Sequence, residues 1–194
     1  MKAYYDARAP EYDDWWLGCG LFADRERPGW DEDVAALTAT IVALPAARTL
    51  DVACGTGFLT CHLRGEVVGL DASARMLAVA RERVPNARFV RGDALSLPFD
   101  AGAFERVFAS YFYCHLGDDE RCRFLAEARR VADELVVVAS VLGEGDERER
   151  WEQRILNDGS RWTVFKRCFV GPDLAAELGG DVIHRSRHFL VVRA

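Results

Sequence analysis

The chain has 194 residues, half of them apolar and 29% charged, which is enough for one domain of ordinary globular composition. That balance excludes collagen-like, disordered and small disulfide-stapled folds. Acidic residues outnumber basic ones 31 to 25, a net charge of −6, which is the wrong sign for a protein whose main partner is nucleic-acid phosphate.

Six cysteines, at positions 19, 54, 61, 114, 122 and 168, form no C-x-x-C pair and no zinc-like spacing. Free thiols in a reducing compartment, and no metal, are expected. No run approaches the roughly 18 apolar residues of a membrane span, and residues 1–6 have neither a signal core nor a transit pattern. The sequence therefore reads as a cytoplasmic protein without a membrane span, and as a monomer or homodimer.

In chain order, residues 1–45 hold two helical stretches, broken at Pro10 and at Arg27-Pro28-Gly29. The second opens with Asp31, Glu32 and Asp33 and carries an apolar stripe at Val34, Leu37 and Ile41. Five short β-branched runs follow, at 50–53, 66–70, 88–90, 106–109 and 135–139. They lack alternation, as strands buried on both faces of a parallel sheet do. Between them, Ser73 can cap a helix with Met76, Leu77, Ala80 and Val84 on one face, ended by Pro85. Asp118 can cap another, with Phe124, Leu125, Ala128 and Val131 at helical spacing. This alternation specifies an α/β sheet with right-handed crossovers. The charge run at 144–154 predicts an exposed helix face with i,i+3 and i,i+4 pairs, and 161–170 has strand-like residues. Pro172 suits the first position of a short helix that stops at Gly179-Gly180, and 182–193 predicts an antiparallel hairpin that adds two strands.

The chemistry concentrates at strand ends. In Asp51-Val52-Ala53-Cys54-Gly55-Thr56-Gly57 the glycines permit a sharp turn and close approach of a ligand to the backbone. Amides at a following helix start would favour negative groups; the plain alternative is a ligand-free connection. Asp71 ends the second run fourteen residues after Gly57, where a carboxylate can accept ribose hydroxyls. Asp93 ends the third and can accept from an exocyclic amine. Both could instead merely cap the next helices. Thr60 stands where a dinucleotide fingerprint needs its third glycine, and no P-loop lysine is present, so nicotinamide or nucleotide phosphates fit poorly.

Three segments together, 51–57, Gly69-Leu70-Asp71-Ala72-Ser73 with Met76-Leu77, and Gly92-Asp93-Ala94-Leu95-Ser96-Leu97-Pro98-Phe99, resemble successive motifs of class I S-adenosylmethionine-dependent methyltransferases. The opening at 4–13 is similar to the small-molecule branch that includes quinone-biosynthesis methylases. The resemblance implies a Rossmann-like, doubly wound α/β sheet of seven strands. It would be mostly parallel with one antiparallel strand near the C-terminus, under N-terminal lid helices. It divides a single domain into a lid (1–45), a cofactor-binding core (46–141) and a late segment (142–194) with a helix, substrate-side residues and the terminal hairpin.

For the cofactor, S-adenosylmethionine with product S-adenosylhomocysteine, the resemblance implies Asp51, Ala53, Cys54, Gly55, Thr56 and Gly57 around the methionine part, with Asp51 near its ammonium. Asp71 would hold the ribose, with Ala72 and Met76 on the ribose–adenine face. Gly92, Asp93 and Ala94 would meet the adenine, Ser110 would sit near the transferred methyl, and Tyr12 would belong to the lid. On the acceptor side it implies Tyr5, Trp16, Tyr111, Tyr113 and Arg167, with His115 as a candidate base. Ala53 replaces a glycine often found there, and Glu105 stands where an aspartate is common. Aromatic residues that converge over the cofactor would favour a flat or apolar small-molecule acceptor; the competing account is that they pack lid against core. Arg161, Lys166 and Arg167 could hold an acidic group on it or form a solvated basic edge. No Asn/Asp-Pro-Pro-aromatic loop follows the fourth strand, which argues against nucleic acid. The other-class reading is a non-catalytic binder of the same cofactor.

Overall fold

The computed structural model describes residues 2–194. Strands β1 (Thr49–Val52), β2 (Val67–Asp71), β3 (Arg88–Arg91), β4 (Arg106–Ser110), β5 (Glu134–Ser140), β8 (Asp181–Arg185) and β9 (Phe189–Arg193) make one sheet. Its order is β3-β2-β1-β4-β5-β9-β8. Neighbours from β3 to β5 are parallel, whereas β9 runs antiparallel to both β5 and β8. The terminal hairpin thus adds two strands by inserting the last one between β5 and β8. β6 (Glu149–Ile155) and β7 (Arg161–Arg167) pair separately as an antiparallel hairpin.

Two apolar layers sandwich the sheet because neighbouring strand residues point to opposite faces. Val107, Ala109, Val137, Ala139, Leu190 and Val192 face α5 (Asp118–Val131) and α6 (Gly171–Leu178). Phe108, Val136, Val138, Phe189 and Val191 face Trp16, Trp30 and the Leu37–Ile41 stripe of α3 (Trp30–Ala43). α4 (Ala74–Arg83) starts as expected at Ser73, whose Oγ accepts from the Met76 amide at 3.1 Å.

The N-terminal region is more broken than two helices. α1 (Lys2–Arg8), a 3-10 turn at Ala9–Glu11, α2 (Asp14–Leu17) and a second 3-10 turn at Gly20–Phe22 precede α3. Tyr4 is buried with Leu156 and Val164, so α1 packs on the β6–β7 hairpin. Asp6 Oδ1 accepts from Ser73 Oγ at 2.6 Å, Asp13 Oδ1 from Thr56 Oγ1 at 2.6 Å, and Glu11 Oε2 from the Asn157 amide at 2.8 Å.

Three local expectations are corrected. The charge run ends in a strand: in β6 burial alternates residue by residue, and Glu152 bridges Arg150 and Arg154 at i,i±2 spacing on one face. No α-helix follows β1. Residues 58–66 are all that separates Gly57 from β2, and they hold only a 3-10 turn at Thr60–His62, so the expected amides of a helix start are absent there. The cap of α5 is Gly117, whose amide donates to Glu120 Oε2 at 3.0 Å. Asp118 is instead the first helical residue and pairs with Arg121 at 2.6 Å.

All six cysteines are free thiols. Among the described residues no helix is long and apolar enough to cross a membrane, and no metal-binding cluster occurs.

Phe108, wholly buried at the middle of the sheet, supports the aromatic layer above it. Phe108→Ala is expected to lower unfolding free energy by about 3–5 kcal/mol, read as a fall in the urea midpoint at unchanged slope.

Candidate active site

β1 and β4 are neighbours, yet β2 continues from β1 on one side and β5 from β4 on the other. Their carboxyl ends flank the topological switch point, where open α/β sheets form a crevice. Both chains leave their strands in the left-handed region, Ala53 at φ 59° and Tyr111 at φ 53°. Each costs about 1–2 kcal/mol for a residue with a Cβ. Backbone bonds hold them: the Tyr111 amide donates to Val138 O at 2.9 Å, and the Cys54 amide to Leu70 O at 3.1 Å.

The crevice is a cleft of about 900 Å³, its open mouth included. Ala53, Gly55, Asp71, Ala72, Met76, Gly92, Asp93, Ala94 and Ser110 line it, with Tyr12 from the N-terminal segment and Tyr5, Tyr111 and His115 at its other side. A recess of about 280 Å³ adjoins through Tyr12, Ala53 and Ser110 and is lined by Asp51, Cys54 and Trp16. Thr56 and Gly57 lie behind the loop. Thr56 is tied to Asp13, and a Cβ on Gly57 would meet Ala80 at 3.4 Å.

Two expected acceptor-side residues are elsewhere. Tyr113 is wholly buried in the α5–α6 layer, its hydroxyl donating to Glu177 Oε1 at 2.6 Å. Arg167 pairs with Glu149 and with Asp118 across the end of the hairpin. The cleft also includes Lys2, Ser73, Leu95, Phe112, Leu116 and Glu120. Phe112 was reachable as a neighbour of Tyr111, whereas Lys2 and Glu120 carried no signal, because only the docking of α1 and α5 brings them in.

Three of the carboxylates here, those at the ends of β1, β2 and β3, are each in a different state. Asp51 is 2% exposed; its Oδ2 accepts from Thr60 Oγ1 at 2.6 Å, and its Oδ1 is buried without a partner. Burial pushes its pKa up to about 7, with the nearby Asp71 charge adding to the rise. Asp71 accepts from the Gly55 amide at 3.0 Å and the Ser73 amide at 2.8 Å. Burial raises its pKa while those amides oppose the rise. Each of its oxygens keeps a free lone pair. Asp93 is exposed at the rim, its Oδ1 accepting from the Leu95 amide at 2.9 Å.

His115 Nδ1 lies 2.6 Å from Phe165 O. A carbonyl only accepts, so Nδ1 carries the proton and Nε2 keeps a lone pair. Burial lowers the ring's pKa to about 4, opposed by the Phe165 bond. Burial also raises the hydroxyls of Tyr12, to about 12, and Tyr111.

Residues 49–134 match the family model described as Methyltransferase domain, and this span holds the cleft loops at the ends of β1 to β4. That span, somewhat under half of the chain, resembles a methyltransferase domain. The chain is 38% identical over 134 residues to the demethylmenaquinone methyltransferase of Renibacterium salmoninarum, covering 68% of this chain and 53% of that protein. Against the demethylmenaquinone methyltransferase of Thermus thermophilus it is 40% identical over 93 residues, covering 43% and 41%. The chain thus spans about half the length, or less, of the curated relatives it matches. A solved DhpI–SAH complex superposes with a TM-score of 0.72 at 26% identity, covering 98% of this chain and 92% of that one. A DhpI–SAM–HEP complex superposes at 0.74 and 25%, covering 98% and 94%.

The unpartnered Asp51 oxygen has a measurable consequence. Because the folded pKa is raised from 3.8 to about 7, the carboxyl's contribution to stability is whole below about pH 4 and lost by about pH 7. Asp51→Asn lacks that loss. Its urea midpoint relative to wild type is expected to be higher at pH 8 than at pH 5.

Proposed function

We propose that the protein transfers a methyl group from S-adenosylmethionine to a small aromatic or apolar molecule, leaving S-adenosylhomocysteine. The observation that carries this is the buried Asp51 Oδ1 that has no partner inside the protein, set in a recess beside a cleft rimmed by two further carboxylates. An isolated buried charge is costly, and an ammonium group in the recess would offset that cost. The family match, the quinone-methylase relatives and the SAH-bound neighbour support the same reading.

The residues fit the cofactor. Asp51 would take the ammonium, with Ala53, Cys54, Gly55, Thr56 and Gly57 shaping the loop around the methionine part. Asp71 would accept the ribose hydroxyls with its remaining lone pairs, above Ala72 and Met76. Asp93 would accept the adenine amine, with Gly92 and Ala94 beside the ring. Tyr12 would close over it from the N-terminal segment, and Trp16 would wall the recess. S-adenosylmethionine supplies a methyl group already activated as a sulfonium.

What the protein adds is alignment and exclusion of water, and near-attack positioning is worth roughly 7–11 kcal/mol. Tyr5, Ser110, Tyr111 and Phe112 surround the place left for the acceptor's attacking atom. Where the attacking atom is a hydroxyl or amine, His115 Nε2 would accept its proton. With a pKa near 4 the ring does not retain that proton at neutral pH and passes it to solvent.

Calorimetry with S-adenosylhomocysteine tests the cofactor assignment. Binding is expected, and Asp71→Ala should weaken it about tenfold or more, since hydrogen bonds to a charged group are worth about 1.5–3 kcal/mol. An ammonium favours ionised Asp51, so binding should release a proton and weaken as pH falls below about 7. Asp51→Asn should flatten that dependence. No heat of binding in the wild type would overturn the reading.

The base assignment has its own readout. His115→Ala should lower kcat by about 100-fold or more, and the wild-type rate should show no histidine inflection between pH 6 and pH 8. Unchanged turnover in the variant would leave His115 as a cleft-shaping residue only.

A further inference from the structure

A second cavity, of about 810 Å³ with its mouth, lies across Tyr111 from the cleft, and Tyr111 is the one residue common to both. Its aromatic walls are continuous: the Trp15 ring sits 4.8 Å from Trp30 and 5.0 Å from Tyr111, edge to face. Four cations line it, Arg27, Arg150, Lys166 and Arg187, against the single carboxylate of Asp146. They come from four separate segments: the loop before α3, β6, β7 and the β8–β9 turn.

Arg150 is paired with Glu152 at 2.7 Å. Among the described residues the other three have no carboxylate at ion-pair distance. Arg27 lies 3.9 Å above the Trp30 ring and donates to Trp15 O at 2.7 Å, and Arg187 donates to Pro28 O at 2.9 Å. Carbonyls and a ring face orient Arg27 and Arg187 without an ion pair, while Glu152 lies near enough to Lys166 to interact with its charge. Arg161 is exposed and Arg167 is paired elsewhere, so of the basic trio in this stretch of sequence only Lys166 faces the cavity.

Resting on the methyltransferase reading above, we infer that the acceptor is a small aromatic acid whose oxyanion group sits in this cavity among Arg27, Lys166 and Arg187. Its ring lies against Trp15, Trp30 and Tyr111, which directs the attacking atom past Tyr111 toward the cleft. The cavity's field favours an anion over a neutral isostere of the same shape, so this is where acceptors are discriminated. A carboxylate and a phosphonate share the chemistry that would be recognised.

Protein saturated with S-adenosylhomocysteine is titrated with benzoate, phenylphosphonate and benzamide by ligand-observed NMR at millimolar concentration. One or both anions should bind and benzamide should not; the stronger anion distinguishes carboxylate from phosphonate. Lys166→Glu and Arg187→Glu should each weaken the bound anion about tenfold or more. Melting temperature and S-adenosylhomocysteine affinity should stay unchanged in both variants. Benzamide binding as well as benzoate, no anion binding, or anion binding indifferent to both substitutions overturns the inference. If S-adenosylhomocysteine does not bind but the anion binds and depends on Lys166, the cofactor reading fails and the oxyanion seat stands.

Discussion

The cleft depends on one carboxylate that holds two loops at once. Asp71, at the end of β2, accepts from the Gly55 amide in the loop after β1 and from the Ser73 amide at the start of α4. Ser73 in turn caps α4 through Met76 and donates to Asp6 on α1. Asp71 and Ser73 together therefore connect the floor of the cleft, the helix beside it and the N-terminal segment above it. Charge-assisted bonds to backbone amides are among the stronger ones available, which suits a carboxylate that holds two of these elements.

Around that anchor the molecule separates charge by sign. Carboxylates at 51, 71 and 93 gather at the ends of β1 to β3, while Arg27, Lys166 and Arg187 gather across Tyr111. The overall charge of −6 conceals this division. A molecule spanning both sides would be oriented before any contact formed, its cationic end drawn one way and its anionic end the other.

Much of this was legible in the residues. Four of the five β-branched runs mark the parallel strands because strands buried on both faces admit little else, whereas the third is a half-buried edge strand; the glycine-rich loop, Asp71 and Asp93 come at the ends of the first three. The β6 strand reads as a helix in sequence because its charges satisfy two periods at once: Arg148 and Glu152 stand at helical spacing, while Arg150, Glu152 and Arg154 stand at strand spacing. Adjacency to Tyr111 suggests an acceptor-side place for Tyr113, but the left-handed turn at Tyr111 and the 3-10 turn at Tyr113–His115 send it into the core. Where a helix was expected after Gly57, the nine residues before β2 form only a 3-10 turn. Of the cationic cavity only Lys166 carried a sequence signal, because the cavity's members lie as far apart as positions 27 and 187 and only the fold brings them together.

The two left-handed residues at the strand ends, Ala53 and Tyr111, bear on how this scaffold tolerates change. At position 53 the backbone favours the loss of the methyl group, and because Ala53 lines both the cleft and its recess, a larger side chain there would take up ligand space. Both effects favour a small residue. At 111 the same backbone bend is held under a large ring that forms the wall between two cavities. Replacing that ring would therefore alter the turn and the partition together, so the reach of the pocket and the shape of the backbone cannot drift independently there.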